Sequence, residues 1–418
     1  MTGHTTGACA AAAAKAAAEM LFTGKEVISS VLILPGGESF PYEVLETKRS
    51  LKSVRCAVKK DAGDDPDVTD GMLIFAEVSW LGEPTGGWNA GSAMEKPADF
   101  MAEASGGWNV RSSKVEIEIT GGEGIGRVTR PGLDQPVGAA AINSVPRRMI
   151  REAVLAALAE TDTGSRKESC RTDTETEGDT SKAACGIRVE ISIPGGREMA
   201  ARTFNPKLGI EGGLSILGTT GIVEPMSSRA LLSAIKAEIS MHRAEGDEML
   251  LMVPGNYGRE YIQKAYGFDP EDAVACSNFV EDAMKLAADA GFRKVFFIGH
   301  AGKLIKAAGG VGNTHSDYGD GRMEYTLDFI REAYGQERAD EAREEILSCV
   351  SMDGAVEVLK EKGMAEAVFE RAAHSLKEHI AEWTGGRLTA RVVIFTKIHG
   401  RLADTGMEEG PAAAKDPA

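Results

Sequence analysis

The second half of the sequence repeats one order three times: a short apolar stretch, a glycine-containing loop and a helix-forming segment. The apolar stretches, each with the loop that follows it, are 214–217 with 218–221, 249–253 with 254–259, and 295–298 with 299–302. Strand, loop and helix in this order are typical of a parallel sheet flanked by helices. We therefore predict an α/β domain at residues 211–400, with a mostly parallel, Rossmann-like sheet and non-standard glycine loops.

Residues 1–210 show a different pattern, in which short strand-forming stretches alternate with glycine and proline turns. This pattern favours an α+β domain with a strand-rich core and antiparallel hairpins. The alanine-rich residues 9–21 predict a helix with Thr5 or Thr6 as its N-cap. Residues 161–184 are polar with almost no large apolar side chain, so we expect a flexible surface insertion there. We expect a disordered tail at residues 401–418.

Composition and charge argue against several classes of protein. The 418 residues carry a net charge of −16, whereas nucleic-acid binding needs a basic surface, so we expect no nucleic-acid partner. The six cysteines include no C-x-x-C pair, which argues against a zinc site or a disulfide framework and favours a reduced, cytoplasmic setting. No stretch reaches the roughly 18 consecutive apolar residues that a membrane span needs, so we expect no membrane contact.

The glycine loops indicate a ligand site, because open α/β sheets hold ligands at strand ends. None of the loops matches G-x-G-x-x-G with a later acidic residue, or the P-loop pattern, so neither standard nucleotide-binding device is indicated. The third loop region continues to His315 and Asp317, and the lysines near it favour a charged small molecule. These two residues stand two apart, which fits a base with its orienting partner or a pair of metal ligands.

A second candidate is the acidic run at residues 61–70, which places five carboxylates within ten residues. A calcium loop, a general base whose pKa is raised by neighbouring carboxylates, and a solvated turn are the alternatives for it. Met72 stands where an EF-hand loop needs its bidentate glutamate, so the calcium loop is the weakest of the three.

Several strings of the sequence, taken together, resemble one family. They are TTGACAAAAAK at 5–15, KDAGDDPD at 60–67, GIGRVT at 124–129, AIN at 141–143, FNPKLGI at 204–210, GTTGIVEP at 218–225 and the run at 299–316. In this order, over residues 3–400, they resemble the cobalt-precorrin-5B (C1)-methyltransferases, the CbiD family of anaerobic corrinoid biosynthesis. Segments 82–110 and 161–184 depart from the family pattern, and we expect surface additions at both.

The resemblance implies methyl transfer from S-adenosylmethionine to C1 of cobalt-precorrin-5B, a tetrapyrrole, giving cobalt-precorrin-6A in cobalamin (vitamin B12) biosynthesis. It implies no protein-bound metal, since the substrate carries the cobalt, and it leaves a homo-oligomer open. Two alternatives from other classes are a metal-dependent hydrolase and a non-catalytic corrinoid-binding protein.

With the strand-end rule, the resemblance yields three sets of candidate site residues. We expect the methyl donor to contact Gly218, Thr219, Thr220, Gly221, Gly255, Tyr257, Gly258, Gly299, His300 and Gly302. We expect the carboxylated macrocycle to contact Thr5, Thr6, Lys60, Arg127, Arg130, Arg147, Lys303 and Asn313. The candidates for proton handling are His315, Asp317 and Asp64.

Overall fold

The computed structural model describes residues 3–81, 115–165, 186–223 and 228–406. The chain divides into two compact units, Met1–Ser227 and Ser228–Ala418. The boundary that we expected between residues 210 and 211 falls inside the first unit, because the residues after it bond to that unit. Ile216 pairs with Ile142, and Ile222 pairs with His4. The loop at 82–110, residues 166–184 of the expected insertion and residues 407–418 lie outside the described residues.

The first unit combines helices with a mixed sheet. Its strands are β1 Gly3–His4, β2 Ser29–Ile33, β3 Ser39–Glu43, β4 Leu45–Arg49, β5 Ser53–Lys59, β6 Leu73–Leu81, β7 Glu116–Gly121, β8 Arg127–Val128, β9 Gly186–Ser192, β10 Ile210–Glu211 and β11 Ile222–Val223. Its helices are α1 Thr6–Thr23, α2 Ser144–Ser165 and α3 Gly196–Ala200. The main sheet has the order β4-β5-β6-β9-β7, in which β7 and β9 are parallel and the other neighbours are antiparallel.

Helix α1 lies in the core of the first unit and begins where the sequence predicts. Thr5 is its N-cap, and the Oγ1 of Thr5 accepts a hydrogen bond from the backbone N–H of Ala8. The alanines of α1 are buried, and the helix packs against α2, β5 and β6. Alanine combines high helix propensity with a small side chain, so this stretch forms a helix that approaches its neighbours closely.

The second unit contains a sheet covered by helices. Its strands are β12 Met249–Val253, β13 Val274–Ala275, β14 Lys294–His300, β15 Thr389–Thr396 and β16 Gly400–Asp404. Its helices are α4 Ser228–Glu245, α5 Asn256–Tyr266, α6 Val280–Asp289, α7 Ala301–Ala308, α8 Arg322–Tyr334, α9 Gln336–Ser348, α10 Met352–Glu361 and α11 Ala365–Trp383. The order is β13-β12-β14-β15-β16, with three parallel pairs and an antiparallel β15–β16 pair.

The strand order places a crevice between β12 and β14. The chain leaves β12 for β13 on one side and then returns to β14 on the other side, so the direction of winding reverses there. Such a switch point separates the loops at the carboxyl ends of the two strands. Val295 and Phe297 belong to one buried cluster and Phe296 and Ile298 to another, so both faces of β14 are covered.

Two sequence-based expectations about the second half need correction. The stretch 214–217 does not begin the parallel sheet, since its residues pair with the first unit instead. Residues 401–404 are not a disordered tail, because they belong to β16, where Asp404 accepts hydrogen bonds from Arg391 at 2.8 and 2.6 Å. Across the described residues, no helix combines the length and apolar character that a membrane crossing requires.

Candidate functional site

A group of polar and aromatic side chains surrounds His300 at the carboxyl edge of the second unit's sheet. The His300 ring lies 5.8 Å, centre to centre, from the ring of Tyr257 and also 5.8 Å from the ring of Phe395. The ammonium of Lys397 lies 3.6 Å from the centre of the Tyr257 ring, a cation–π contact. Together with Asp353, these residues form what we call the His300 cluster. Apart from Asp353, which lies at the start of α10, its members follow or end β12, β14 and β15, three neighbouring parallel strands.

The protonation state of His300 follows from its role as a helix cap. It is the N-cap of α7, and its Nδ1 accepts a hydrogen bond from the backbone N–H of Gly302 at 3.1 Å. Burial lowers the pKa of His300, Asp353 opposes this shift, and the charges of Lys397 and Arg322 add to it. The neutral ring therefore carries its proton on Nε2, which is a hydrogen-bond donor.

Asp353 faces this donor from the first turn of α10. Its Oδ2 lies 4.0 Å from Nε2 of His300. The Nε2 of His399 lies 3.2 Å from the backbone oxygen of Asp353, which ties the start of α10 to the turn after β15. Neither Asp353 nor Lys397 is among the site residues predicted from the sequence. The strand-end rule applied to the last parallel strand indicates Lys397, whereas Asp353 begins a helix and has no such local signal.

The predicted glycines of this edge divide into two groups. A Cβ at Gly258 would lie 2.7 Å from Cβ of Val253, and a Cβ at Gly299 would lie 2.8 Å from Cγ of Leu304. These two glycines permit close contact between helix and sheet. Gly255 precedes α5, and Gly302 lies in the first turn of α7. The backbone of both glycines is therefore placed at the switch point.

The lysines after β14 hold neighbouring loops. Lys303 donates hydrogen bonds to the backbone oxygen of Ser277 and to Oδ1 of Asn278, at 3.3 and 2.9 Å, and burial lowers its pKa. Lys306 is buried and donates to three backbone oxygens, those of Thr314, His315 and Gly319. The expected carboxylate contact of Lys303 therefore competes with bonds that the ammonium already makes.

His315 and Asp317 form the pair that their spacing predicts, but in an exposed position. Nδ1 of His315 lies 3.2 Å from Oδ2 of Asp317 and also accepts the backbone N–H of Asp317. Their side chains are 48% and 81% exposed. Oδ1 of Asn313 accepts the backbone N–H of His315 at 3.1 Å, so Asn313 shapes this loop.

The loop at 218–221 belongs to the first unit, so the expectation that three glycine loops share one sheet edge is wrong. Gly218 has a φ of 125°, and a Cβ there would lie 2.4 Å from Cβ of Thr5. A Cβ at Gly221 would lie 2.6 Å from a methyl carbon of Leu34. Thr220 donates its hydroxyl to the backbone oxygen of Ile222, and Thr219 precedes it in the same turn. These glycines allow the chain to pass close to the start of α1.

Four residues that we expected to contact the macrocycle instead form hydrogen bonds or an ion pair within the first unit. Thr5 caps α1, and Oγ1 of Thr6 accepts the backbone N–H of Leu217 at 3.0 Å. Lys60 is 1% exposed and forms an ion pair with Asp67. Arg147 donates to the backbone oxygens of Ile142 and Ile119 at 2.8 and 2.9 Å. Local sequence does not reveal these partners, because they lie on other elements or across a loop.

Arg127 and Arg130 remain near the surface of the first unit. Arg127 is exposed and donates to the backbone oxygen of Gly138, and Arg130 is half-buried and donates to that of Lys207. The two arginines lie beside the β8–β10 pair, where Arg127 is opposite Glu211. Guanidinium groups in such a position suit carboxylates of a ligand.

The acidic run at 61–70 is organised by its own backbone. Oδ1 of Asp61 accepts the N–H of Gly63, and Oδ1 of Asp70 accepts the N–H of Ala62, each at 2.8 Å. Asp67 binds Lys60 and Thr69, whereas Asp64 is exposed. In the part of the chain that the structure describes, no three His, Cys, Asp or Glu side chains are grouped to hold a metal ion.

Comparison with known proteins identifies the family. The family model described as CbiD matches residues 1–225, and the model described as CbiD, C-terminal domain, matches residues 313–406. The chain belongs to the CbiD family. A curated relative from Ruminiclostridium cellulolyticum, named cobalt-precorrin-5B C(1)-methyltransferase, is 39% identical over 96% of this chain and 90% of its own length. A relative from Alkaliphilus metalliredigens with the same name is 36% identical over 96% of this chain and 91% of its own.

The crystal structure of a cobalamin biosynthesis protein (cbiD) from Archaeoglobus fulgidus is 22% identical to this CbiD chain. The match covers 79% of this chain and 84% of that chain, with a TM-score of 0.34.

The CbiD models divide the His300 cluster between two parts of the sequence. Asp353, Phe395 and Lys397 lie within the region matched by the C-terminal model, whereas Tyr257 and His300 lie between the two matched regions. The cluster is therefore assembled by the sheet rather than by one continuous motif.

Proposed function

We propose that this chain methylates C1 of cobalt-precorrin-5B with S-adenosylmethionine, giving cobalt-precorrin-6A in cobalamin biosynthesis. The observation that carries the proposal is the identity of 39% over 96% of the chain to a relative with that name. In the reaction, the S–CH3 bond of the donor breaks and a bond from C1 to the methyl carbon forms. S-Adenosylhomocysteine leaves with the sulfur electron pair, and the macrocycle loses a proton.

We place the methyl donor at the carboxyl edge of the second unit, in a Rossmann-like manner. The residues proposed to contact it are Gly255, Tyr257, Gly258, Gly299, His300 and Gly302. The support is the switch point between β12 and β14, since ligands of open α/β sheets occupy such crevices. Gly258 and Gly299, which permit close contact between helix and sheet, would act by setting the position of the backbone.

The reaction requires the protein to align the reacting atoms rather than to supply a metal ion. The sulfonium methyl is already activated, so the enzyme must hold the carbon nucleophile, the methyl group and the sulfur in line and exclude water. The cobalt belongs to the substrate. We propose that Arg127 and Arg130 bind carboxylates of the macrocycle, and that His315, Asp317 or Asp64 accepts the proton.

Calorimetric titration with S-adenosylmethionine tests this proposal. The chain is titrated alone and after addition of cobalt-precorrin-5B, and we expect heat of donor binding in at least one condition. Macrocycle binding without any donor binding would instead indicate a non-catalytic corrinoid-binding protein. A hydrolytic activity that a chelator abolishes, again without donor binding, would indicate a metal-dependent hydrolase.

A further inference from the structure

The carboxylate of Asp353 lies at the His300 cluster, and none of the described residues donates a hydrogen bond to it. Its Oδ1 is buried and has no hydrogen-bond partner among the described residues. Its Oδ2 faces Nε2 of His300 at 4.0 Å, which is beyond hydrogen-bond range. A charged group that is partly withdrawn from water and left without donors is unfavourable in the free protein. Because Oδ1 is buried while the side chain is 25% exposed, Oδ2 is the oxygen that a ligand can reach.

The spacing of the two groups favours a particular kind of ligand atom. A third atom about 2.8 Å from both Nε2 and Oδ2 can bond to each of them, with an angle of about 90° between the two bonds. Because Nδ1 of His300 accepts the N–H of Gly302, Nε2 is the donor. The bridging atom must therefore accept a hydrogen bond from His300 and donate one to Asp353. A hydroxyl oxygen does both, whereas an ammonium nitrogen cannot accept and a carboxylate oxygen cannot donate.

Of the polar groups in S-adenosylmethionine, the hydroxyls of the ribose meet this requirement. We propose that Asp353 and His300 together bind a ribose hydroxyl of the methyl donor. The inference rests on the proposed function, and it adds a residue, Asp353, and a chemical group to the proposed donor site. Tyr257, which lies beside His300 with 52% of its surface exposed, would flank the sugar.

Calorimetry with S-adenosylhomocysteine and its 2′-deoxy and 3′-deoxy analogues tests the inference. We expect the wild-type chain to bind at least one deoxy analogue about 10- to 100-fold more weakly, the usual effect of losing a hydrogen bond to a charged group. Asp353→Ala should weaken binding of S-adenosylhomocysteine by a similar factor. The variant should distinguish that analogue from the parent ligand less than the wild type does, because the hydroxyl has lost its acceptor and keeps only the His300 donor.

A second variant tests the donor side of the same bridge. Asn is a good N-cap, so His300→Asn keeps an acceptor for the N–H of Gly302 and removes the Nε2 donor. We expect S-adenosylhomocysteine to bind it about 3- to 10-fold more weakly. Asp289→Ala is the matched control, because Asp289 pairs with Arg387 at the end of α6 and is exposed. It should leave the affinity unchanged.

The outcomes separate this inference from the proposed function. Asp353→Ala should fold with a Tm within about 4 °C of wild type, since the described residues donate no hydrogen bond to the carboxylate. A variant that does not fold would overturn the inference, because the carboxylate would then be structural. Unchanged affinity in Asp353→Ala, or equal loss for the parent ligand and both analogues, would also overturn it and leave the function standing. A wild-type chain that binds neither donor nor product would overturn both.

Discussion

The ammonium of Lys60 lies 2.5 Å from Oδ2 of Asp67, with the lysine 1% and the aspartate 27% exposed. Removing Lys60 leaves the partly buried charge of Asp67 with only its hydrogen bonds from Thr69. We expect Lys60→Ala to lower the free energy of unfolding by about 3 kcal/mol or more in denaturant titrations. Lys59→Ala, which removes the exposed neighbouring lysine, should change it by less than about 0.5 kcal/mol. Equal effects of the two changes would contradict a structural role for Lys60.

Two features require glycine at position 218, its backbone angle and the closeness of Thr5. Its φ of 125° disfavours a side chain, and a Cβ would lie 2.4 Å from Oγ1 of Thr5. Gly212 has a φ of 82° and no atom of the described residues within 4 Å of its Cβ position, so it separates the two effects. We expect Gly212→Ala to cost about 1 kcal/mol and Gly218→Ala at least about 2 kcal/mol more. Equal destabilisation in chemical unfolding would exclude the close approach to Thr5.

The stability of the protein should depend on pH through His300. Its pKa in the folded protein is lowered, chiefly by burial, whereas an unfolded histidine titrates near about 6.5. Below that pH the unfolded chain binds a proton that the folded chain does not, so stability falls as the pH falls, until the folded pKa is reached. We expect a flatter dependence in His300→Asn between about pH 7 and pH 5. Parallel curves for the two proteins would contradict the neutral, capping state of His300.

The role proposed for His315 and Asp64 predicts a loss of rate without a loss of donor affinity. General acid–base groups contribute about 100-fold or more, so His315→Ala or Asp64→Ala should lower kcat by that factor. His374→Ala is the control, because His374 is exposed on α11 and bonds to the backbone oxygen of Glu370. Unchanged turnover in both test variants would remove His315 and Asp64 from the proton-handling step.

The sequence predicted those features that depend on local patterns. The alanine run and Thr5 specify α1 and its cap, and the apolar stretches before Gly255 and His300 specify β12 and β14. The stretch 214–217 has the same local appearance, but its partner is Ile142 in the first unit, and long-range pairing decides between the two placements. No local pattern indicates that Lys60 is buried in an ion pair with Asp67.

The candidate site was predictable only in part, for the same reason. His300 follows an obvious strand, so the strand-end rule finds it. Asp353 begins a helix more than fifty positions later and reaches His300 because the start of α10 is bonded to the turn after β15. No periodicity or short motif marks such a residue.

Transfer of a labelled methyl group tests the central claim most directly. The chain is incubated with cobalt-precorrin-5B and S-adenosylmethionine that carries carbon-13 in its methyl group, and the product is examined by nuclear magnetic resonance and mass spectrometry. We predict one labelled methyl group on C1 of the macrocycle and an equal amount of S-adenosylhomocysteine. An unlabelled macrocycle, or a label on another ring carbon, would contradict the account.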